Sequence, residues 1–403
     1  MGVDLSEQVV LRWDSASSCA ALVESGGIDA VLPAAAIRLL TLEEVGRGVA
    51  AGETVAIKAG VWPGAHAMAR GGGAFVAGAT SRAWVDANGY LIAWLRALYP
   101  ERPSVLGYLP DHDAGIAAGQ VIAYDSLELA LIDAWSAGGN YILAPDAAYR
   151  DALLAGQETA LAAWKRMGRT ARWLKQHRSL FLRPPAGTVT VLVEPGEATA
   201  EIANLLYRHS ASPELISAAR LPAPDPSRRA IVVAAGIRSD SADLGRALLA
   251  HARAGATVVT DNCGEKAWWR VRGLNLARQF EDRELYTFGS GRVVAYKEEI
   301  ADPGEFAQDV IDLAAGRRPV RIWDMSAAIA VVSPDGARSA TLRVVNYGSP
   351  ARSETLVHVH GVFSSAKLSR PEGEPVSLRT YRRGPDTEVM LPALSRLAVV
   401  EFS

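Results

Sequence analysis

Short apolar runs alternate with helix-like stretches along the first 183 residues of this 403-residue chain. Strands are predicted at 9–14, 28–33, 55–64, 105–111, 121–125 and the end of 126–146. Helices are predicted between them, among them 84–100 and the basic amphipathic stretch 163–177. Because short apolar strands that alternate with helices are covered on both faces, the pattern predicts a parallel sheet between helices.

The pattern changes after Pro184-Pro185 and again near residue 319. Strands are predicted at 188–194, 230–235, 256–261 and 291–297, with helical stretches between them, which is typical of a doubly wound α/β domain. After residue 319 only period-two alternation is present, with a hairpin signal at Pro334-Asp335-Gly336. The sequence therefore predicts three domains, at 1–183, 187–318 and 319–403, the last a small antiparallel β-sandwich.

The order of these parts resembles multidomain glycoside hydrolases of the family 42 β-galactosidase type. ALIDAWSAGGNYILAPD (130–146) resembles the last barrel unit of that family, and ARAGATVVTD (252–261) resembles a strand of its middle domain. LRVVNYG (342–348) and LPALSRLAVVEF (391–402) resemble its terminal sandwich. The resemblance implies a (β/α) barrel-like domain, a flavodoxin-like domain related to class I amidotransferases, and a C-terminal β-sandwich. It also implies a carbohydrate substrate and a homo-oligomer, a dimer or trimer.

The first part departs from the family pattern in length and in its acids. An eight-stranded barrel usually takes about 250 residues, whereas about 183 residues and six predicted strands precede the second part. Aspartates, not the glutamates of the family, follow the predicted strands. Two hypotheses stay open: a glycoside hydrolase that acts on oligosaccharides, or a non-catalytic descendant that binds carbohydrate or serves as a scaffold. A third is ligand binding in the crevice of the middle domain where its strand order reverses.

Two aspartates are the candidates for catalysis. Glycoside cleavage needs two carboxylates that flank the bond, and residues at the carboxyl ends of barrel strands face the active site. Asp111 lies in the acidic stretch LPDHDAG, close to Asp113; the alternative for it is a solvated acidic loop made of turn residues. Asp125 ends the run VIAYD. For Asp125 the alternative is a capping box with Glu128, three residues later.

Three further residues are candidates for binding substrate: Asp14, Trp62 and Asp146. Trp62 ends a predicted strand, where its ring could stack on a sugar; core packing or a lid contact is the alternative. Asp14 precedes a serine-rich stretch and Asp146 precedes a helix, so either could instead cap a helix.

Composition excludes several other classes of protein. The 42 basic and 44 acidic residues are mixed along the chain, which argues against a nucleic-acid surface. No stretch reaches the roughly 18 apolar residues of a membrane span. The opening MGVDLSEQVV lacks the features of a secretory signal, and two cysteines are too few for a disulfide framework, so we expect a cytoplasmic protein.

No metal or organic cofactor is implied by the sequence. The one close histidine pair, His358-x-His360, lies in an alternating run that would place both rings on one face of a strand. Metal binding would need a third ligand, and a solvated strand face is the simpler interpretation.

Overall fold

A computed structural model gives the architecture of the chain. It describes residues 3–13, 15, 17–33, 36, 38–49, 56–58, 62–66, 84–108, 122–225, 230–238, 241–264, 267–323, 325, 327–336, 338–350 and 354–403. None of the helices in these ranges is long and apolar enough to cross a membrane. Strands and helices are numbered below in chain order.

The first sheet has six strands, in the order β2-β1-β8-β7-β4-β3. Every pairing in it is parallel, as predicted. Among the described residues no pairing joins β2 to β3, so this part of the chain forms an open arc there. The strands are β1 (Val10–Arg12), β2 (Ala30–Leu32), β3 (Leu39–Leu40), β4 (Ala56–Lys58), β7 (Val105–Gly107) and β8 (Asn140–Leu143).

Within the described residues, seven helices and a hairpin accompany this sheet. The hairpin joins β5 (Gly64–His66) to β6 (Trp84–Asp86) in antiparallel pairing. The helices are α1 (Ala20–Gly26), α2 (Leu42–Arg47), α3 (Gly89–Leu98), α4 (Asp125–Ser136), α5 (Ala147–Leu154), α6 (Glu158–Gln176) and α7 (Arg178–Phe181).

Alternate residues along these strands point to opposite faces of the sheet and belong to two different buried clusters. Val10, Ala56, Val105 and Ile142 belong to a small cluster with Leu5 on one face of the arc. The neighbouring strand residues, such as Leu11 and Ile57, join the main core with the helices. Because side chains alternate along a strand, Arg12 and Lys58 follow Val10 and Ala56 on the inner face, at its carboxyl edge.

Two predictions for this part were wrong. The run 121–125 is not a strand, because β7 already pairs with β4 on one side and β8 on the other; its last residue, Asp125, instead begins α4. The helix predicted over 84–100 is shorter, because 84–86 pair with 64–66 before α3 begins. The two-residue strand β3 was missed, since so short a run carries no detectable period.

The middle sheet has seven strands, in the order β10-β9-β11-β12-β15-β14-β13. The first five are parallel, in the 2-1-3-4-5 order of flavodoxin-like sheets, and the last two are antiparallel. The elements are β9 (Val189–Val193), α8 (Glu197–Arg208), β10 (Glu214–Ser217), β11 (Ile231–Val233), α9 (Ala242–Ala254), β12 (Thr257–Thr260), β13 (Asn275–Gln279), β14 (Arg283–Phe288), β15 (Gly291–Tyr296) and α10 (Pro303–Leu313).

Two antiparallel sheets follow, in the orders β16-β19-β23-β22 and β17-β18-β24-β20-β21. They enclose one core, to which Leu342, Val357 and Val400 belong. The hairpin predicted at Pro334-Asp335-Gly336 joins β17 to β18. The strands are β16 (Val320–Ile322), β17 (Ala328–Pro334), β18 (Ala340–Asn346), β19 (Thr355–His360), β20 (Ala366–Ser369), β21 (Val376–Leu378), β22 (Thr380–Arg383), β23 (Asp386–Leu391) and β24 (Leu397–Phe402).

Candidate functional site

The carboxyl edge of the first sheet is where a barrel-like arrangement would bind its ligand. The described strands end there in Arg12, Leu32, Leu40, Lys58, Gly107 and Leu143. None of these residues is a carboxylate, and neither is any described residue that directly follows one of them. The strand ends themselves therefore present cations and apolar groups.

A recess of about 260 Å³, including its open mouth, lies at this edge on the inner face of the arc. Gly107 allows its walls to approach, since a Cβ atom there would lie 2.9 Å from Cδ2 of Leu39. The recess is lined by Arg12, Leu32, Pro33, Leu39, Gly107, Tyr108 and Ile142. Its lining combines one cation, Arg12, with a largely apolar wall.

Trp62 packs beside this recess. Its ring stacks on Tyr108, with ring centroids 4.2 Å apart and an angle of 8° between the planes. Tyr108 is buried, and its hydroxyl accepts a hydrogen bond from Nδ2 of Asn88 at 2.8 Å. One face of Trp62 is therefore a packing surface, so a sugar could stack only on the opposite face. The buried indole Nε1 of Trp62 has no hydrogen-bond partner within the described part of the chain.

Asp125 is the first residue of α4, and its side chain makes no capping hydrogen bond. The capping box proposed for it is therefore not formed. Instead, Arg166 binds both acids of this turn, Oδ1 of Asp125 at 2.5 Å and Oε2 of Glu128 at 2.8 Å. Glu128 is buried and also accepts a hydrogen bond from Thr170 at 2.6 Å. Asp125 is half exposed and lies 4.0 Å from Arg396.

Of the remaining candidate acids, one caps a helix and the others lie outside the described residues. Asp146 caps α5, because its Oδ1 accepts a hydrogen bond from the backbone N–H of Tyr149 at 2.6 Å. This is the capping arrangement that the sequence left open as the alternative for Asp146. Asp14, Asp111 and Asp113 lie outside the described residues.

A buried acid that the sequence analysis did not single out lies where the three parts of the chain meet. Asp133 on α4 is 1% exposed. It accepts hydrogen bonds from the backbone N–H groups of Asn88 at 2.6 Å and Gly89 at 3.1 Å, and from the Tyr347 hydroxyl at 2.6 Å. Burial raises the pKa of Asp133 to about 6, although these hydrogen bonds act in the opposite direction. The sequence feature that could have pointed to Asp133 is the presence of this acid in the mostly apolar helical stretch LELALIDAW.

The surroundings of Asp133 leave no space for a ligand. A Cβ atom at Gly89 would lie 2.4 Å from the hydroxyl oxygen of Tyr207, on α8, and 3.2 Å from Oδ1 of Asp133. Arg343, on β18, is buried nearby and donates to the carbonyl oxygens of Ser136 at 3.1 Å and Phe181 at 2.9 Å. Asp133 is therefore part of a structural junction and does not face the recess.

Two carboxylate side chains of the protein lie at the carboxyl edge of the middle sheet, where its crevice would bind a ligand. Asp261 follows β12 and accepts from the backbone N–H of Gly236, at 3.1 Å to Oδ2, and burial raises its pKa. Glu194 follows β9 and accepts from the backbone N–H of Arg238 at 2.5 Å. Because two acids already use the donors at this edge, the crevice does not suit a phosphate group.

Comparisons with known proteins bear on the fold. No protein-family model matches the chain, and no curated protein matches it. Among solved structures, α-L-fucosidase isoenzyme 2 from Paenibacillus thiaminolyticus matches with a TM-score of 0.53 and 9% identity, over 78% of this chain and 63% of that one. A β-galactosidase from Bacillus circulans sp. alkalophilus matches with a TM-score of 0.52 and 11% identity, over 78% and 58% of the two chains.

A catalytic mutant of a GH42 β-galactosidase from G. stearothermophilus matches with a TM-score of 0.50 and 10% identity, over 78% of this chain and 56% of that one. The chain thus spans less than two thirds of the length of each of these enzymes. Identities this low show the fold alone. The resemblance to glycoside hydrolases, family 42 β-galactosidases among them, is confirmed at the level of the fold.

Proposed function

We propose that this protein is a glycoside hydrolase that binds an oligosaccharide at the carboxyl edge of its first sheet and cleaves it with Asp111 and Asp14. The observation that carries the proposal is the strand order β1-β8-β7. Asp14 comes two residues after the end of β1, and Asp111 comes four residues after the end of β7. Because β1 and β7 are both parallel to β8, they end at the same edge of the sheet, with β8 between them. The segments that lead to Asp14 and Asp111 therefore start at this edge, two strand positions apart.

The spacing of these exits supports a pair of catalytic carboxylates. Neighbouring strands lie about 4.8 Å apart, so β1 and β7 are separated by roughly 10 Å. The two carboxyl groups of inverting glycosidases are roughly 6.5–9.5 Å apart, and those of retaining enzymes roughly 5 Å. A separation of roughly 10 Å between the two strands is closer to the wider of these spacings, so we propose a reaction that inverts the anomeric centre.

Asp125 is not part of this proposed pair. Its carboxylate is bound by Arg166 and lies 4.0 Å from Arg396, and the contact with Arg166 holds the side chain at the start of α4. Its proposed role is to attach α4 to α6. Trp62 and Arg12 are proposed to contact the sugar, the first with the ring face opposite Tyr108 and the second from the wall of the recess.

The experiment compares turnover of a panel of aryl glycosides by the wild type, Asp111→Asn, Asp14→Asn and the control Asp125→Asn. Loss of a general acid or base lowers the rate by about 10²–10⁴-fold. We expect losses of this size in the first two variants and a change of a few-fold at most in the control. Product analysis by NMR immediately after mixing should show the inverted anomer. Unchanged turnover in Asp111→Asn would remove this residue from the mechanism.

The second candidate function is carbohydrate binding without cleavage. It is favoured by the described strand ends, which present Arg12 and Lys58 where catalytic carboxylates would otherwise lie. No turnover on any glycoside of the panel, together with saturable oligosaccharide binding by calorimetry, would select this function. For either function we propose a dimer or trimer, which light scattering would detect as a multiple of the monomer mass.

A further inference from the structure

The sheet β16-β19-β23-β22 has one face on the sandwich core and one face outward. The outward face, here called the outer face, bears aromatic and charged side chains: Arg321, Trp323, His358, Tyr381, Arg383 and Glu388. Trp323 is 47% exposed and Tyr381 is 41% exposed, large fractions for aromatic residues. Exposed rings on a flat sheet are the usual means by which a protein stacks on the CH face of a ligand.

Strand register places the outer-face residues in a row. Arg321 pairs with His358, His358 with Glu388, and Glu388 with Tyr381, so the row crosses all four strands. Three strand spacings make it roughly 14 Å long. Trp323 lies two residues beyond Arg321 at one end, and its ring meets His358 edge-on at 5.9 Å. At the other end Arg379 lies over Tyr381, 5.0 Å from the ring centroid, and steadies the ring.

Two carboxylates on the outward side of this sheet, Glu388 and Asp386, lie beside imidazole or guanidinium groups. Glu388 lies 3.1 Å from Nε2 of His358 and 3.0 Å from Nε of Arg383. On the next row, Asp386 lies 2.9 Å from Nδ1 of His360. A polyanion or polycation would have to break these pairs, whereas sugar hydroxyl groups can donate to a paired carboxylate and accept from a paired cation. The two histidines each lie within hydrogen-bond distance of an acid.

We propose that the outer face is a second carbohydrate-binding surface, specific for a neutral oligosaccharide and separate from the recess in the first sheet. Trp323 and Tyr381 supply stacking platforms at its two ends, and Glu388 with its neighbours His358 and Arg383 binds hydroxyl groups between them. The length of the row requires an oligosaccharide and not a single sugar. This inference does not depend on hydrolysis by the first sheet, since the outer face lies on a different part of the chain.

The test is calorimetric titration of the intact protein with cellohexaose, mannohexaose and galactan oligosaccharides, and with the corresponding disaccharides. We expect at least one hexasaccharide-sized ligand to bind and the disaccharides to bind about tenfold more weakly or not at all. Trp323→Ala and Tyr381→Ala should each weaken binding about tenfold, the size of effect expected from loss of an aromatic platform. Val376→Ala is the matched control, because Val376 is 44% exposed on the other sheet of the sandwich.

Two measurements distinguish binding at the outer face from binding at the proposed active site. Trp323→Ala should keep wild-type turnover of aryl monoglycosides, and Asp111→Asn should keep the binding that Trp323→Ala loses. Equal oligosaccharide affinity in wild type and Trp323→Ala would overturn the inference, as would the absence of any binding by the intact protein. A dimer that dissociates on Trp323→Ala would also overturn it, because the outer face would then be an interface between two copies.

Discussion

The hydrogen bond from Tyr347 to Asp133 gives a pH-dependent stability effect that can be measured directly. Both side chains are buried, and the hydroxyl lies 2.6 Å from Oδ1 of the carboxyl group. Tyr347→Phe removes this donor without changing the ring. Asp133 keeps its two backbone N–H donors, from Asn88 and Gly89, so the carboxyl group is not left without partners.

The size of the effect depends on whether Asp133 is ionised. A hydrogen bond to a charged group contributes about 1.5–3 kcal/mol, and one between neutral groups about 0.5–1.5 kcal/mol. Burial raises the pKa of Asp133 to about 6, so the carboxyl group is ionised at pH 8 and mostly protonated at pH 4.5. Tyr347→Phe should therefore lower the free energy of unfolding more at pH 8 than at pH 4.5, by about 1 kcal/mol.

The wild-type protein should show a related trend. Because the folded pKa of Asp133 lies above its ordinary value of 3.8, the folded state binds the proton more tightly than the unfolded state. The stability that this group contributes is complete below about pH 4 and is lost as the pH rises through about 6. The loss amounts to about 3 kcal/mol from this group alone.

Urea unfolding followed by circular dichroism at both pH values provides the assay. Tyr381→Phe is the control, since its hydroxyl belongs to an exposed ring and its loss should change stability by a few tenths of a kcal/mol. In an Asp133→Asn background the pH dependence of the Tyr347→Phe effect should disappear. An effect of equal size at pH 4.5 and pH 8 in the wild-type background would refute the assignment of an ionising Asp133 at the junction.

Two further predictions concern packing and domain boundaries. Gly168→Ala should destabilise the protein by about 1–3 kcal/mol, because a Cβ atom there would lie 2.2 Å from the carbonyl oxygen of Ser25 on α1. Gly46→Ala, where no atom lies within 4 Å, should be neutral or stabilise α2 by up to about 1 kcal/mol in the same denaturation assay. Limited proteolysis should cut first near Pro184-Pro185 or within 221–229, and early cleavage within 126–146 would contradict the proposed boundary.

The part of the fold that the sequence predicts well is the part with strong periodicity. The alternating strands β17 and β18, with Pro334-Asp335-Gly336 between them, are found as predicted. So are the buried parallel strands of the middle sheet, such as 189–193 and 257–260. β13 was missed because all five of its residues are exposed, and an exposed edge strand has no hydrophobic period to detect.

The candidate site was harder to predict, because an aspartate near a strand end has several uses. The sequence allows Asp146 to bind substrate or to cap a helix, and only the contact with Tyr149 shows that it caps. Asp125 was placed at a strand end, but the strand does not exist and Arg166 binds the side chain from α6, 41 residues away in sequence. Such long-range pairing has no local signal. Asp133 did have one, since an acid among the apolar residues of a buried helix requires hydrogen-bond donors from elsewhere.

The junction around Arg343 explains how an open arc of six strands is held against the rest of the molecule. A buried guanidinium without a carboxylate partner is costly, and burial lowers the pKa of Arg343 to about 10. Its acceptors are the hydroxyl oxygen of Ser333, at 2.6 Å, and backbone carbonyl oxygens, among them those of Ser136 and Phe181, the last residues of α4 and α7. These carbonyl groups lack partners within their own helices, and the negative end of a helix dipole favours a cation there.

From β18, in the last part of the chain, Arg343 thus donates hydrogen bonds to carbonyl groups at the ends of two helices of the first part. Tyr347, just beyond the end of β18, donates a hydrogen bond to Asp133. One strand therefore supplies both a cation and a hydroxyl donor to α4, the helix that leads into β8 at the centre of the arc. Because β8 pairs with both β1 and β7, this contact with the C-terminal sandwich anchors the helix that precedes the central strand of the arc.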